Sequence, residues 1–273
     1  MKKFDVKSRK YRRGGFTLIE LVMVVMILAI VAGLAVPVVG WLRRSANYAA
    51  QANTTGSLAS NLEFFRTTYG NNGYPDNLDS LTLQDGTFIT YTDGGFADLF
   101  NVGTLTGNEA ACFNWLNTIY DHSIDAHSPD ADGDPQVLQG NPSNTAIYPR
   151  AFDGTNVAVV DVDQTDEGFE LISELYPNAV LDGATNTLTV DGETIKLVGF
   201  GLGQGNEAVG RTMTAAPLDP RVETSEQYAR YVAIFACYVN REGRRAQLKA
   251  IVNAKGRTTN NALTEFWQSI NPE

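Results

Sequence analysis

The sequence predicts an α+β protein in which a long N-terminal helix, membrane-spanning in its first half, packs on a mainly antiparallel β-sheet head. Three observations predict it. Residues 21–42 carry no charged side chain, apolar residues then recur at helical spacing as far as Tyr69, and two later stretches alternate apolar and polar residues around short turns.

The first fifteen residues are a segment apart. They hold seven Lys or Arg (Lys2, Lys3, Lys7, Arg9, Lys10, Arg12, Arg13) against one Asp. Taking these from totals of 21 basic and 31 acidic residues leaves 14 and 30, so the rest of the chain is strongly acidic. Such a body repels phosphate backbones, and nucleic acid is not an expected partner of the head.

The helix is expected over 16–69. At 1.5 Å rise, the 22 uncharged residues from Leu21 to Leu42 reach about 33 Å, enough for a hydrocarbon core of about 30 Å. A secretory signal would end in a small-residue cleavage site after a shorter apolar run. Here the small pair Gly14-Gly15 comes before the run, so a cut there removes the basic leader and keeps the anchor. Beyond the span, Leu42, Ala46, Ala49, Ala52, Leu58, Leu62, Phe65 and Tyr69 form the stripe expected to pack on the head. Pro37, with Gly33 and Gly40 nearby, is expected to kink or loosen the helix, because proline lacks a backbone donor and crowds the preceding turn. Gly70 and Asn71-Asn72-Gly73 are expected to end it.

The run Gly15, Phe16, Thr17, Leu18, Ile19, Glu20, behind a basic leader and ahead of a long apolar stretch, resembles the signal of type IV pilins and type II secretion pseudopilins. The resemblance covers residues 9–44. It implies that a prepilin peptidase cuts between Gly15 and Phe16, that Phe16 becomes an N-methylated terminus, and that Glu20, fifth in the mature chain, acts in assembly. Pro37 falls where many such proteins carry a helix-kinking proline. The implied organisation is a cleaved leader (1–15), a helix (16–42 transmembrane, 43–69 on the head) and an exported head (70–273). The implied partners are other copies in a helical filament, other pilins or pseudopilins, an inner-membrane assembly platform and membrane lipid. The implied location is the bacterial inner membrane, single-pass with the N-terminus cytoplasmic, and then a periplasmic or extracellular filament.

Physical chemistry gives Glu20 a meaning of its own. A carboxylate in an apolar helix is costly unless paired, so it marks function. The amine that cleavage would free on Phe16 is a partner in cis or on a neighbouring subunit, while a carboxylate reaching headgroups is the plain alternative.

In the head, the segment 68–81, with its Gly-Tyr-Pro turn and Leu78 and Leu81, is similar to the stretch after the long helix in many pseudopilins. An ordinary turn with both leucines in the core explains it equally. Residues 187–198 predict a hairpin about Asp191-Gly192, and 231–239 with 246–252 a second, its nearly all-apolar first strand central in the sheet. Short helices are expected at 109–120, 167–175 and 260–270. There is no internal repeat and no linker that forces a second head domain.

Cys112 and Cys237 stand 125 residues apart. In an oxidising compartment a disulfide between them would contribute about 4–5 kcal/mol in the chain-entropy model; two buried thiols are the alternative. Residues 121–134 concentrate seven Asp and His side chains. Asp130, Asp132 and Asp134 alternate as oxygen ligands for calcium do, yet Gly133 stands fourth, Pro135 replaces the turn glycine and Asn141 the terminal Glu of an EF-hand. A solvated acidic loop, calcium and, last, zinc are the readings; the resemblance favours calcium, which major pseudopilins bind in the head. Asp161, Asp163, Asp166 and Glu167 form a second acidic cluster, able to add ligands or cap a helix.

Residues 199–205, GFGLGQG, lack the Lys-Ser/Thr of a phosphate loop and read as a flexible loop. With both histidines in the acidic segment, no nucleophile and base pair stands out, and a non-enzymatic role is expected. The alternatives are a minor tip pilin or tethered adhesin, and then a metal-dependent tethered hydrolase.

Overall fold

The computed structural model describes residues 17–82, 86, 99–120, 146–148, 151–163, 167–222, 228–241 and 243–270, with backbone only at 34–38, 120, 146–148, 265, 266, 269 and 270. The chain divides into two compact units, Met1–Ala46 and Asn47–Glu273. The division falls inside the first helix, four residues past the expected end of the membrane segment.

Helix α1 covers Leu18–Thr68 and its backbone stays helical through Pro37. It ends as the asparagine-glycine run predicts: Asn71 and Asn72 take positive φ (45° and 68°), and Gly70 N–H and Asn72 N–H reach back to the carbonyls of Phe65 and Arg66. Those bonds occupy acceptors that a helix end otherwise leaves without partners.

In the second unit, α1 buries Gln51, Thr55, Leu58, Leu62 and Phe65, a strict alternation of four- and three-residue steps. Leu58, Leu62 and Phe65 match the expected stripe, whereas Tyr69 at its end is exposed. The upper part does not match: Ala46 and Ala49 are exposed, and the seam there is polar. Gln51 is buried because its amide donates to Asp219, 168 residues away, a partner no local pattern reveals.

Ten strands among the described residues form one sheet. They are β1 Leu78–Asp79, β2 Phe100–Thr104, β3 Ile119–Tyr120, β4 Ala146–Tyr148, β5 Asn156–Val160, β6 Val180–Asp182, β7 Thr187–Val190, β8 Glu193–Gly201, β9 Val232–Tyr238 and β10 Gln247–Val252. Every pairing is antiparallel except β1 with β3. β8 organises the sheet. One edge pairs with β9 from Ile195↔Tyr238 to Gly201↔Val232, while the other meets β7, β5 and β1 in turn. The remaining helices are α2 Gly107–Cys112, α3 Glu167–Leu175 and α4 Thr259–Ile270. α3 has the expected limits; α2 is half the expected length because its chain turns at 113–115 towards β3.

Both predicted hairpins form. Asp191 and Gly192 take φ of 51° and 79°, the left-handed pair that a two-residue turn needs to match strand twist. β9 lies between β8 and β10 with all seven residues buried. Its alternate residues face two cores, which is why its sequence does not alternate. Ala233, Phe235 and Cys237 join Val198 and Phe200 under α1 and α2, while Val232, Ile234 and Ala236 join Ile195, Leu197, Leu171 and Ile172 beneath α3. Phe235 anchors the first core, with Tyr74, Trp115 and Phe113 rings 5.1, 5.5 and 6.3 Å from its own. Its truncation to Ala would cost about 3–5 kcal/mol.

The glycine-rich run 199–205, expected as a flexible loop, begins as strand over 199–201, and 202–205 follow as loop and turn. Gly199 and Gly201 belong to β8, whose backbone is paired on both edges. A Cβ on Gly199 would stand 2.6 Å from the Phe100 ring, so the glycine is what leaves room for that side chain of β2 to lie over β8 there.

Candidate processing and assembly site

At the start of α1 the sequence Thr17-Leu18-Ile19-Glu20 folds as a capping box. Thr17 N–H and Oγ1–H donate to Glu20 Oε2 at 2.8 and 2.9 Å, and Glu20 N–H donates to Thr17 Oγ1 at 3.3 Å. Donors of the first turn are thereby satisfied, and the carboxylate lies against the positive end of the helix dipole. The signal for this box in the sequence is a Thr three residues before a Glu, and the charge of Glu20 in an apolar run overshadows it.

The next two turns and beyond offer the side chains no cover within their own unit. Large apolar residues from Leu18 to Val31 are between 46% and 82% exposed, on every side of the helix. A helix apolar all round is stable where something else surrounds it, a bilayer or other helices. Among the described residues no helix is long and apolar enough to cross a membrane. The uncharged run 21–42 includes residues 34–38, whose side chains lie outside the described set.

Gly15 and Phe16 lie outside the described residues, as do Asp130, Asp132 and Asp134. Pro37 is placed by its backbone, inside α1. Among the described residues no group of three or more His, Cys, Asp or Glu side chains is arranged to hold a metal. Of the second acidic cluster, Asp161 accepts from Asp163 N–H at 2.8 Å and Glu167 opens α3, while Asp166 lies outside the described residues. The structure brings Cys112 and Cys237 together as buried thiols.

The head also holds polar clusters that the sequence did not announce. Asp76 Oδ1 accepts from Asn77, Asn117 and Thr118 N–H, so the Tyr-Pro-Asp turn anchors the chain entering β3. Tyr74 donates to Glu63 Oε1 at 2.6 Å and accepts from Leu248 N–H, clamping α1 to β10. Burial first, and then the Glu63 bond, push the Tyr74 phenol up to about 12. Glu109 caps α2 by accepting from Thr106 N–H and pairs with Lys196 at 2.5 Å, both nearly excluded from water.

A long N-terminal helix followed by a curled antiparallel head defines the α+β layout of a pilin-like protein. Residues 10–36 match the family described as prokaryotic N-terminal methylation motif. The chain carries the prepilin-type cleavage and methylation signal of type IV pilins and pseudopilins, which supports a pilin-like protein processed by prepilin peptidase for pilin-type assembly. No curated protein and no solved structure matches the chain.

Proposed function

We propose that the chain is a structural subunit, pilin or pseudopilin, of a type IV pilus-like or type II secretion filament. The observation that carries this is the methylation motif running straight into a helix apolar and exposed on all sides. A processing signal alone would suit any anchored protein; a helix that needs apolar cover along its whole circumference suits one that passes from lipid into a bundle of its own kind.

In this reading the leader 1–15 is removed between Gly15 and Phe16, Phe16 is methylated, and residues 16–42 hold the precursor in the inner membrane with the head exported. Glu20 then guides docking, other copies surround the apolar helix, and the head works without catalytic turnover. Amino-terminal sequencing and intact mass of the membrane-extracted protein test the reading: the mature chain begins at N-methylated Phe16. A retained Met1, or a start near Ala35, overturns it. Electron microscopy of overexpressing cells should then show filaments labelled along their length by antibody to the head; labelling confined to one end would assign a tip subunit instead.

A further inference from the structure

Cys112 and Cys237 are 125 residues apart in sequence and adjacent in the fold. Cys112 is the last residue of α2, and Cys237 lies in β9 on the face that α2 covers. Cys237 Sγ is 3.5 Å from the carbonyl oxygen of Glu109, within the α2 turn that ends at Cys112. Cys112 Sγ is 3.9 Å from the carbonyl oxygen of Tyr238, the residue after Cys237. Cys112 Sγ also lies 3.6 Å from the carbonyl oxygen of Asn108, and Ala246 N–H donates to the Cys112 carbonyl at 2.8 Å, holding that backbone beside the sheet. Both residues are almost wholly buried, at 1% and 0% exposure. The neighbouring Cys237 lowers the Cys112 thiol, while Cys112 and then burial raise that of Cys237, which makes Cys112 the better nucleophile.

We infer that Cys112 and Cys237 close an intramolecular disulfide that staples α2 to the central strand β9. The pairing stands on the geometry; its place of formation, an oxidising compartment, rests on the exported-head reading. The oxidant is an external disulfide, R–S–S–R. Cys112 thiolate attacks one of its sulfurs and releases R–S⁻, which takes up a proton; Cys237 thiolate then attacks Cys112 Sγ and releases the second R–SH. Two protein thiols are oxidised to one disulfide, and one external disulfide is reduced to two thiols carrying the two protons. Because both sulfurs are buried, exchange belongs to the folding chain, before α2 docks, and the finished bond is closed to reductants in solution.

The full-length chain, extracted in detergent, is unfolded in guanidinium with an alkylating agent and no reductant. The expected result is no alkylation, an intact mass two hydrogens below that of the reduced chain, and a proteolytic peptide joining Cys112 to Cys237. Reduction in denaturant followed by refolding should lower Tm by about 10 °C. A bridge from either cysteine to another chain overturns the inference. If two alkylated thiols are found instead, the reduced chain is refolded with oxidised glutathione: closure of the 112–237 bond upholds the pairing and overturns the compartment, whereas stable glutathione adducts that never close overturn the pairing.

Discussion

Tyr228 donates its hydroxyl hydrogen bond to Asp79 Oδ2 at 2.9 Å, in a space that two glycines leave open. A Cβ on Gly201 would lie 1.9 Å from the Tyr228 oxygen, and one on Gly203 would lie 2.1 Å from the Asp79 carboxylate. Asp79, Tyr228 and the neighbouring Arg230 are each at most 2% exposed, so an acid, a phenol and a guanidinium are sealed between β1 and the end of β8. Burial pushes the Asp79 carboxyl up to about 6, against the lowering effects of the Tyr228 bond and the Arg230 charge.

That shift fixes the sign of a pH effect. Asp79 ionises less readily folded than unfolded, so its contribution to stability is fully present below about pH 4 and is lost as pH rises through about 6. The loss is on the order of 3 kcal/mol by pH 7. Asp79→Asn removes the titrating group and keeps the shape. Unfolding measured between pH 4 and 7 should therefore show the variant gaining on the wild type as pH rises, and parallel stability curves would refute the assignment.

Gly203 and Gly56 predict a contrast between substitutions that look alike in sequence. Gly203→Ala should destabilise by about 1–3 kcal/mol, since the new methyl meets a buried carboxylate. Gly56→Ala, on an exposed face of α1 with nothing within 4 Å, should stabilise by about 0.5–1 kcal/mol through helix propensity. Guanidinium unfolding of both variants decides it; equal effects would show that the packing around Gly203 gives way.

Whether a feature was legible in the sequence depends on where its partners sit. The Asp191-Gly192 hairpin and the end of α1 at Asn71-Asn72 were legible because their causes lie within a few residues. The glycines at 199–203 read as a loop because glycine weakens strands, while their reason for being there, Phe100, Tyr228 and Asp79, is remote in the chain. Gln51 was likewise hidden, since a buried polar residue on a helix seam makes sense only once Asp219 is opposite it. The N-terminal signal was fully legible because a peptidase reads it as linear sequence.

Calcium gives a third test, aimed at Asp130, Asp132 and Asp134, which lie outside the described residues. A ligand that binds only the folded head raises Tm with concentration. Calcium should raise the Tm of the wild-type chain and leave a triple Asp→Asn variant unmoved; a wild-type melt that ignores calcium assigns the segment as a solvated acidic loop.

The capping box sharpens what Glu20 is for, because one carboxylate has two candidate tasks. As a cap it accepts hydrogen bonds from Thr17, and glutamine at the same position of a capping box serves nearly as well. As an assembly group it must carry negative charge to meet a subunit's amine in apolar surroundings, and glutamine cannot replace that charge. Glu20→Gln therefore separates the tasks. The expected outcome is normal leader removal and normal amounts of membrane protein, with filaments lost or scarce. Thr17→Val removes the hydroxyl of the box and keeps the charge; it should fray the first turn by about 1 kcal/mol and still give filaments. Filament counts by electron microscopy, read beside a membrane-fraction blot, check both variants. Abundant filaments from Glu20→Gln, together with loss in Thr17→Val, would make Glu20 a helix cap and nothing more.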